Sequence, residues 1–146
     1  MGMDRILVAL DGSPRAPHVL ETAIDIARRA GAHLALYRAV GIPAELPAVA
    51  FSRSPSDVAE LLLGVARTYL IDLEKEVPPE LRAGTSTSLA IPWQGVCEAA
   101  NRARADLIVV GSHGYGGIDR LIGTTAAKIV NHAETSVLVV KEHAPN

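Results

Sequence analysis

The sequence has little cysteine, few aromatic residues and no long apolar run. A single cysteine, Cys97, excludes a disulfide within the chain and is typical of a reducing compartment. Aromatic residues make up 3% of the chain, which leaves few rings on which nucleic-acid bases can stack. No apolar run approaches the roughly 20 residues that span a bilayer. We therefore predict a cytoplasmic protein that contacts neither membranes nor nucleic acids.

The length of the chain predicts a single domain, and its charge agrees with a protein that does not bind nucleic acid. The chain has 146 residues, 49% of them apolar, which predicts one domain over residues 1–146 with a substantial core. The net charge is −2 and no basic block stands out, so nucleic acid is not the expected partner. The apolar run near Met1 is short and ends in Asp11-Gly12-Ser13, unlike the layout of a signal peptide.

Short apolar runs alternate with segments of helical periodicity. The runs predicted as strands are Arg5–Leu10, His33–Val40, Thr85–Ala90, Asp106–Val110 and Ser136–Lys141. Nearly continuous apolar strands separated by helices are typical of a parallel sheet that is covered on both faces. The fold class is therefore α/β: a single-domain, Rossmann-like, three-layer α/β/α arrangement with a five-stranded parallel sheet.

The intervening segments carry helix signals. Ser13 followed by Pro14 predicts a capped start for the first helix, and Pro17 near the first turn allows that start to shift by a residue or two. An apolar stripe from Val58 to Leu73 predicts a second helix with this face in the core, after a loop over Gly41–Arg53. A helix over Trp93–Ala105 turns Cys97 inward, where a buried structural thiol is expected.

Two glycine-bearing turns follow the first and fourth strands. They are Asp11-Gly12-Ser13 and the loop Gly111–Thr125, whose sequence is GSHGYGGIDRLIGTT. In open α/β sheets ligands bind beyond the carboxyl ends of strands where the strand order reverses, and in a Rossmann-like order these two strands meet there. The loop lacks the GK[ST] of a Walker A motif. We expect both turns to face one crevice.

The chemistry of the loop suits an anion. Glycines let backbone N–H groups approach a phosphate, and the following helix adds its N-terminal donors and the hydroxyls of Thr124 and Thr125. Asp11 either accepts from a ribose hydroxyl, holds Mg²⁺ through water, or simply closes an Asx turn. His113 either touches a phosphate or a metal, or bonds local backbone, and Arg120 either reaches the phosphate or stays solvated.

Taken together, three segments resemble the universal stress protein family over essentially the whole chain. They are RILVALDGS at the start, ADLIVVGSHG in the fourth strand and its loop, and GTTAAKIVNHAETSVLVVK at the end. The resemblance implies a strand order of 3-2-1-4-5 and a homodimer through the last strand. The apolar edge that Ser136–Lys141 would expose favours the same two-fold pairing on physical grounds.

For one branch of the family the resemblance implies ATP binding through G-x2-G-x9-G-(S/T). Asp11 would then face the ribose, and backbone groups of Ala39 and Val40 would bracket adenine. The set that this predicts as nucleotide-binding is Leu10, Asp11, Gly12, Ala39, Val40, Gly111, His113, Gly114, Gly123, Thr124 and Thr125. Mg²⁺ would reach Asp11 only with the bound nucleotide.

The chain departs from that pattern in two places. Eight residues, Tyr115–Ile122, separate Gly114 from Gly123 where the pattern has nine, and Ala90-Ile91-Pro92 replaces a frequent Gly-x-Pro. Three hypotheses follow: an ATP-binding regulatory protein, a dimeric interaction module without nucleotide, and an enzyme acting at the α-phosphate region of ATP. Only Asp11, His113 and Arg120 are candidates for catalysis in the third.

Overall fold

A computed structural model describes residues 2–41, 55–112 and 122–141 of the chain. The predicted alternation of strands and helices is confirmed in these ranges. The strands are β1 (Arg5–Ala9), β2 (His33–Val40), β3 (Arg82–Leu89), β4 (Leu107–Gly111) and β5 (Ser136–Val140). The helices are α1 (Ala16–Ala30), α2 (Pro55–Glu74), α3 (Pro92–Ala103) and α4 (Thr124–His132), and a short 3₁₀ turn covers Pro79–Leu81.

The five strands form one parallel sheet in the order β3-β2-β1-β4-β5, as expected from the resemblance. Strand β1 is central, with β2 on one side and β4 on the other. Ala9 near its end lies opposite Tyr37 of β2 and Val110 of β4. The carboxyl ends of these three strands therefore lie side by side.

Alternate residues of each strand face opposite helix layers, as the two-residue period of a strand requires. Ile6 and Val8 of β1 belong to a buried cluster that includes residues of α1 and α2. Leu7 and Ala9 belong to a second cluster that includes residues of α3 and α4. The sheet is therefore the middle of three layers, with an apolar core on each face.

The first helix starts two residues after Pro14, within the shift that Pro17 allows. Helix α1 begins at Ala16 with Arg15 at the N-cap, and Pro17 occupies the first turn. Proline is tolerated there because the first-turn N–H groups have no helical acceptor. Ser13 lies before the helix, and its hydroxyl oxygen accepts from the backbone N–H of Arg15 at 3.2 Å. The serine thus shapes a turn rather than capping the helix.

Two expectations about buried faces are wrong in part. On α2, Ala66 and Leu70 are buried, but Leu61 and Val65 are 54% and 60% exposed. The stripe read from the sequence is wider than the face of α2 that contacts the sheet. Cys97 on α3 is half-buried, because it lies about 100° around the helix from buried Val96. Burial, and secondarily the charge of Glu98, raises the pKa of its thiol.

The two edges of the sheet differ in composition. Strand β3 is rich in Ser and Thr and contains Gly84 at φ +103°. Strand β5 is apolar, and Val137, Leu138 and Val139 are only partly buried. Each edge leaves one row of backbone groups without a strand partner in the sheet. Covering the edge at β5 would therefore bury more apolar side-chain surface than covering the edge at β3.

None of the helices that the structure describes is both long enough and apolar enough to cross a bilayer. The predicted loop Gly41–Arg53 lies, apart from Gly41, outside the described residues.

Candidate functional site

A cavity of about 600 Å³ lies at the carboxyl ends of β2, β1 and β4. It is bordered by residues of all four helices as well as by the strand ends. Most of the residues expected to bind a ligand line it. These are Leu10, Asp11, Gly12, Ala39, Val40, Gly111, Thr124 and Thr125.

Of the other residues considered for the site, Gly123 is among those that the structure describes. Gly123 is buried at the N-cap of α4, adjacent to the cavity lining at Thr124. His113, Gly114 and Arg120 lie outside the described residues.

The first turn is held in shape by its own hydrogen bonds. The backbone N–H of Leu10 donates to the carbonyl of Tyr37 at 2.9 Å, which fixes the end of β1 against β2. The N–H of Ser13 donates to Oδ1 of Asp11 at 2.9 Å, so the Asx turn considered for Asp11 is present. Gly12 between them has φ +77°, a conformation that favours glycine. Asp11 nevertheless remains exposed at the cavity.

The second turn is anchored at both of its described ends. Gly111 packs closely against α1, since a Cβ there would lie 3.1 Å from Cγ2 of Val19. Ser112 is buried; its N–H donates to the carbonyl of Val140 at 3.0 Å, and its carbonyl accepts from Gly123 N–H at 3.2 Å. The Gly123 amide is therefore engaged within the protein. The donors left for a ligand are those of the first turn of α4, which begins at Thr124.

The charges around the cavity favour an anion. Three helices begin at its rim, with Ala16, Pro92 and Thr124 among the lining residues. Helix N-termini carry positive partial charge and unpaired N–H donors. The described charged side chains of the lining are two arginines, Arg15 and Arg38, and the carboxylate of Asp11.

The opposite part of the cavity is apolar. Helix α2 contributes Leu62, Val65 and Ala66, which lie with Val40 of β2. None of the α2 residues was expected at a site, because an apolar stripe on a helix predicts core in the absence of other signals. The exposure of Val65 follows in part from its place at this opening.

Arg38, near the end of β2, is a site residue that the sequence did not indicate. Its guanidinium carbon lies 4.8 Å from the centre of the Tyr69 ring, a cation–π distance. A Cβ on Gly12 would fall 2.7 Å from Cζ and Nη2 of Arg38, so the guanidinium lies directly against the first turn. Burial raises the pKa of Tyr69; Arg38 opposes this shift and Asp11 adds to it, which places both charges near the phenol.

The cavity thus combines helix N-termini and two arginines with an apolar wall. Across residues 2–41, 55–112 and 122–141, no three His, Cys, Asp or Glu side chains are grouped to hold a metal ion.

The fold is that of a doubly wound α/β protein with a cavity at the point where strand order reverses. The chain belongs to the universal stress protein family, whose model matches residues 2–141. It is 31% identical to universal stress protein A homolog 1 of Coxiella burnetii, over 96% of this chain and 97% of that protein. It is 30% identical to universal stress protein MJ0531 of Methanocaldococcus jannaschii, over 94% of this chain and 82% of that one.

Solved structures share the fold. The universal stress protein UspA of Lactobacillus plantarum superposes with a TM-score of 0.77 at 23% identity, over 97% of this chain and 99% of that one. A universal stress protein in complex with cAMP has a TM-score of 0.70 at 23% identity, over 96% of this chain and 98% of that one. The universal stress protein of Archaeoglobus fulgidus in complex with dAMP has a TM-score of 0.61 at 21% identity, over 97% of this chain and 100% of that one.

Proposed function

We propose that the cavity binds an adenine nucleotide and that the protein is a cytoplasmic, nucleotide-responsive regulatory homodimer. The observation that carries the nucleotide proposal is the meeting of two chain-distant turns, at Gly12 and Gly111, around one cavity at a helix N-terminus. Two structural relatives, solved with cAMP and with dAMP, support the choice of an adenine nucleotide.

The strand order suggests how the ligand lies. Neighbouring strands are about 4.8 Å apart, so the ends of β2 and β4 are about 10 Å apart with β1 between them. That span suits the extent of a nucleotide from base to phosphate. The apolar wall of Val40, Leu62 and Ala66 suits the base, and the first turn of α4 suits the 5′-phosphates.

The sugar would then lie over the end of β1, beside Asp11. An exposed carboxylate there accepts hydrogen bonds from ribose hydroxyls. With ATP, Mg²⁺ would be held mainly by the phosphates, and Asp11 is the described carboxylate of the lining that would complete its shell through water. Binding would order the chain around the cavity, which is one established way to build a switch.

Two measurements test the proposal: identification of any nucleotide that copurifies with the protein, and titration with added nucleotide. The protein is purified, denatured, and any released nucleotide is identified by chromatography; Mg-ATP, ATP and AMP are then titrated by calorimetry. We expect saturable binding with a dissociation constant below millimolar. If no nucleotide is carried and millimolar ligand gives no heat, the dimeric module without nucleotide is the better account. The engaged Gly123 amide and the shortened loop are the observations that favour this second candidate.

The dimer is proposed to form through β5. Pairing two copies of this strand would cover its partly exposed apolar side chains and its unpaired backbone. We expect sedimentation to give a dimer at micromolar concentration and Leu138→Lys to shift it towards monomer. Ser86→Lys, which adds the same charge to the opposite edge at an exposed site, should leave the dimer intact. A monomeric wild-type protein would contradict the proposal.

A further inference from the structure

Arg38 is a cationic side chain of the cavity lining that two contacts hold beside the first turn. Arg38 lies on β2, one residue beyond the pairing of Ala9 with Tyr37, so it stands level with the first turn. Its side chain extends to the face of the sheet that carries α1 and α2, where it meets Tyr69. It lines the cavity at the junction between the apolar wall and Asp11.

The guanidinium is held in place before any ligand binds. One contact is the ring of Tyr69, at 4.8 Å from its centre. The other is the backbone of Gly12, where a side chain would fall 2.7 Å from Cζ and Nη2 and 3.0 Å from Nη1. An arginine ordered in advance loses less side-chain entropy when it contacts a ligand, and its planar group offers several N–H donors to phosphate oxygens.

This location falls at the sugar, given the nucleotide orientation proposed above. The 5′-phosphates are assigned to α4, at the β4 side, whereas Arg38 stands at the β2 side of Asp11. The secondary hydroxyls of the ribose lie on the side of the sugar away from the 5′-phosphate. In dinucleotide-binding folds, an arginine near the ribose hydroxyls accommodates a phosphate esterified there.

We propose that Arg38 is a specificity residue of the cavity that favours nucleotides carrying a phosphate on the 2′ or 3′ oxygen of the ribose. This inference rests on the proposed nucleotide-binding function. Without Arg38, the carboxylate of Asp11 would face such a phosphate and repel it. Arg38 therefore converts a site suited to free hydroxyls into one that accepts a second anion.

Calorimetry with three ligands tests the proposal: AMP, adenosine 2′,5′-bisphosphate and adenosine 3′,5′-bisphosphate. We expect the wild-type protein to bind at least one bisphosphate about tenfold more tightly than AMP, the scale of one charge-assisted hydrogen bond. Arg38→Met should abolish or reverse that preference and change AMP affinity little. Arg38→Lys, which keeps the charge but loses the planar donors, should retain part of the preference.

The control is Arg102→Met, which removes the same charge from the opposite end of the sheet and should preserve the preference. Thermal unfolding followed by circular dichroism confirms that each variant is folded. If Arg38→Met weakens AMP and both bisphosphates equally, Arg38 only supports the turn and the proposal is wrong. If the wild-type protein binds AMP but shows no preference, the proposal fails while nucleotide binding stands. If it binds none of the three ligands and no ATP, both are wrong.

Discussion

The two ends of the sheet carry cavities of similar size and opposite chemistry. The cavity at the carboxyl end measures about 600 Å³ and that at the amino end about 660 Å³. Volume therefore does not distinguish them. The direction of the backbone does, because parallel strands place helix N-termini at one end and helix C-termini at the other.

The amino end is rich in arginine, yet its arginines have local explanations. Arg28 and Arg29 lie in the last turn of α1, and Arg102 lies in the last turn of α3. Cations there offset the negative partial charge of the helix C-termini. Arg82 donates through Nε to the carbonyl of Val77 at 2.8 Å. Basic side chains at this end serve the fold, whereas at the carboxyl end the backbone itself offers donors.

The strongest test of this contrast uses two glycines with the same backbone conformation. Gly12 has φ +77° at the carboxyl end, and Gly31 has φ +70° at the amino end. Alanine at either costs about 1 kcal/mol of folding stability because of the left-handed conformation. Only at Gly12 does the new Cβ meet a neighbour, the Arg38 guanidinium at 2.7 Å; nothing lies within 4 Å at Gly31.

We therefore expect Gly12→Ala, which displaces the Arg38 guanidinium, to weaken binding of the preferred adenosine bisphosphate by more than about tenfold, the scale of one charge-assisted hydrogen bond or more, and Gly31→Ala to leave it unchanged. Calorimetry gives the affinities and chemical denaturation gives the free energies of unfolding. Equal losses of affinity in the two variants would show that general stability, rather than the geometry of the first turn, controls binding.

A smaller effect is expected at Asp11, where a turn and a ligand share one carboxylate. Oδ1 already accepts from Ser13 N–H at 2.9 Å, and asparagine can keep that acceptor. Asp11→Asn should therefore preserve stability while lowering nucleotide affinity about tenfold, through loss of a charged acceptor. Asp11→Ala should lose both folding stability and nucleotide affinity. If Asp11→Asn binds as well as the wild-type protein, the carboxylate serves only the Asx turn.

The sequence predicted the layers well because the central strands are compact apolar runs. RILVAL and DLIVV are read as buried strands without reference to their neighbours, and parallel topology then places Gly12 and Gly111 at one edge of the sheet. The polar third strand gave a weaker signal, and its observed start at Arg82 lies three residues before the predicted one. The start of α1 was left open by two residues because Ser13-Pro14 and the later Pro17 compete as helix starts. Local signals of similar strength do not decide between them.

The sequence could not indicate the parts of the site that depend on contacts between elements. Arg38 carries no local signal, since a charged residue near the end of a strand is usually solvated. Its role is visible only from its contacts with Tyr69 and Gly12, residues on two other elements. Similarly, Leu62 and Val65 become cavity residues only once α2 is placed beside Val40.

The amino end should respond to a loss of charge through stability alone. One oxygen of Asp106, Oδ2, accepts from the backbone N–H groups of Asp4 and Arg5 at 2.8 and 3.0 Å. These donors, first that of Asp4, hold the pKa of this carboxyl below its ordinary value of 3.8. A carboxyl with a lowered pKa stabilises the folded state above its unfolded pKa, and the contribution is lost as the pH falls through the folded pKa.

Asp106→Asn should therefore lower the urea midpoint slightly near neutral pH, and the difference from wild type should shrink between about pH 5 and pH 2 as the native carboxyl becomes protonated. Asp4→Asn, an identical charge change at the same end of the sheet, is the control and should show a smaller difference at neutral pH. Neither variant should alter nucleotide affinity. A change in affinity in Asp106→Asn at unchanged stability would mean that the two ends are coupled, and their separation into a structural end and a binding end would no longer hold.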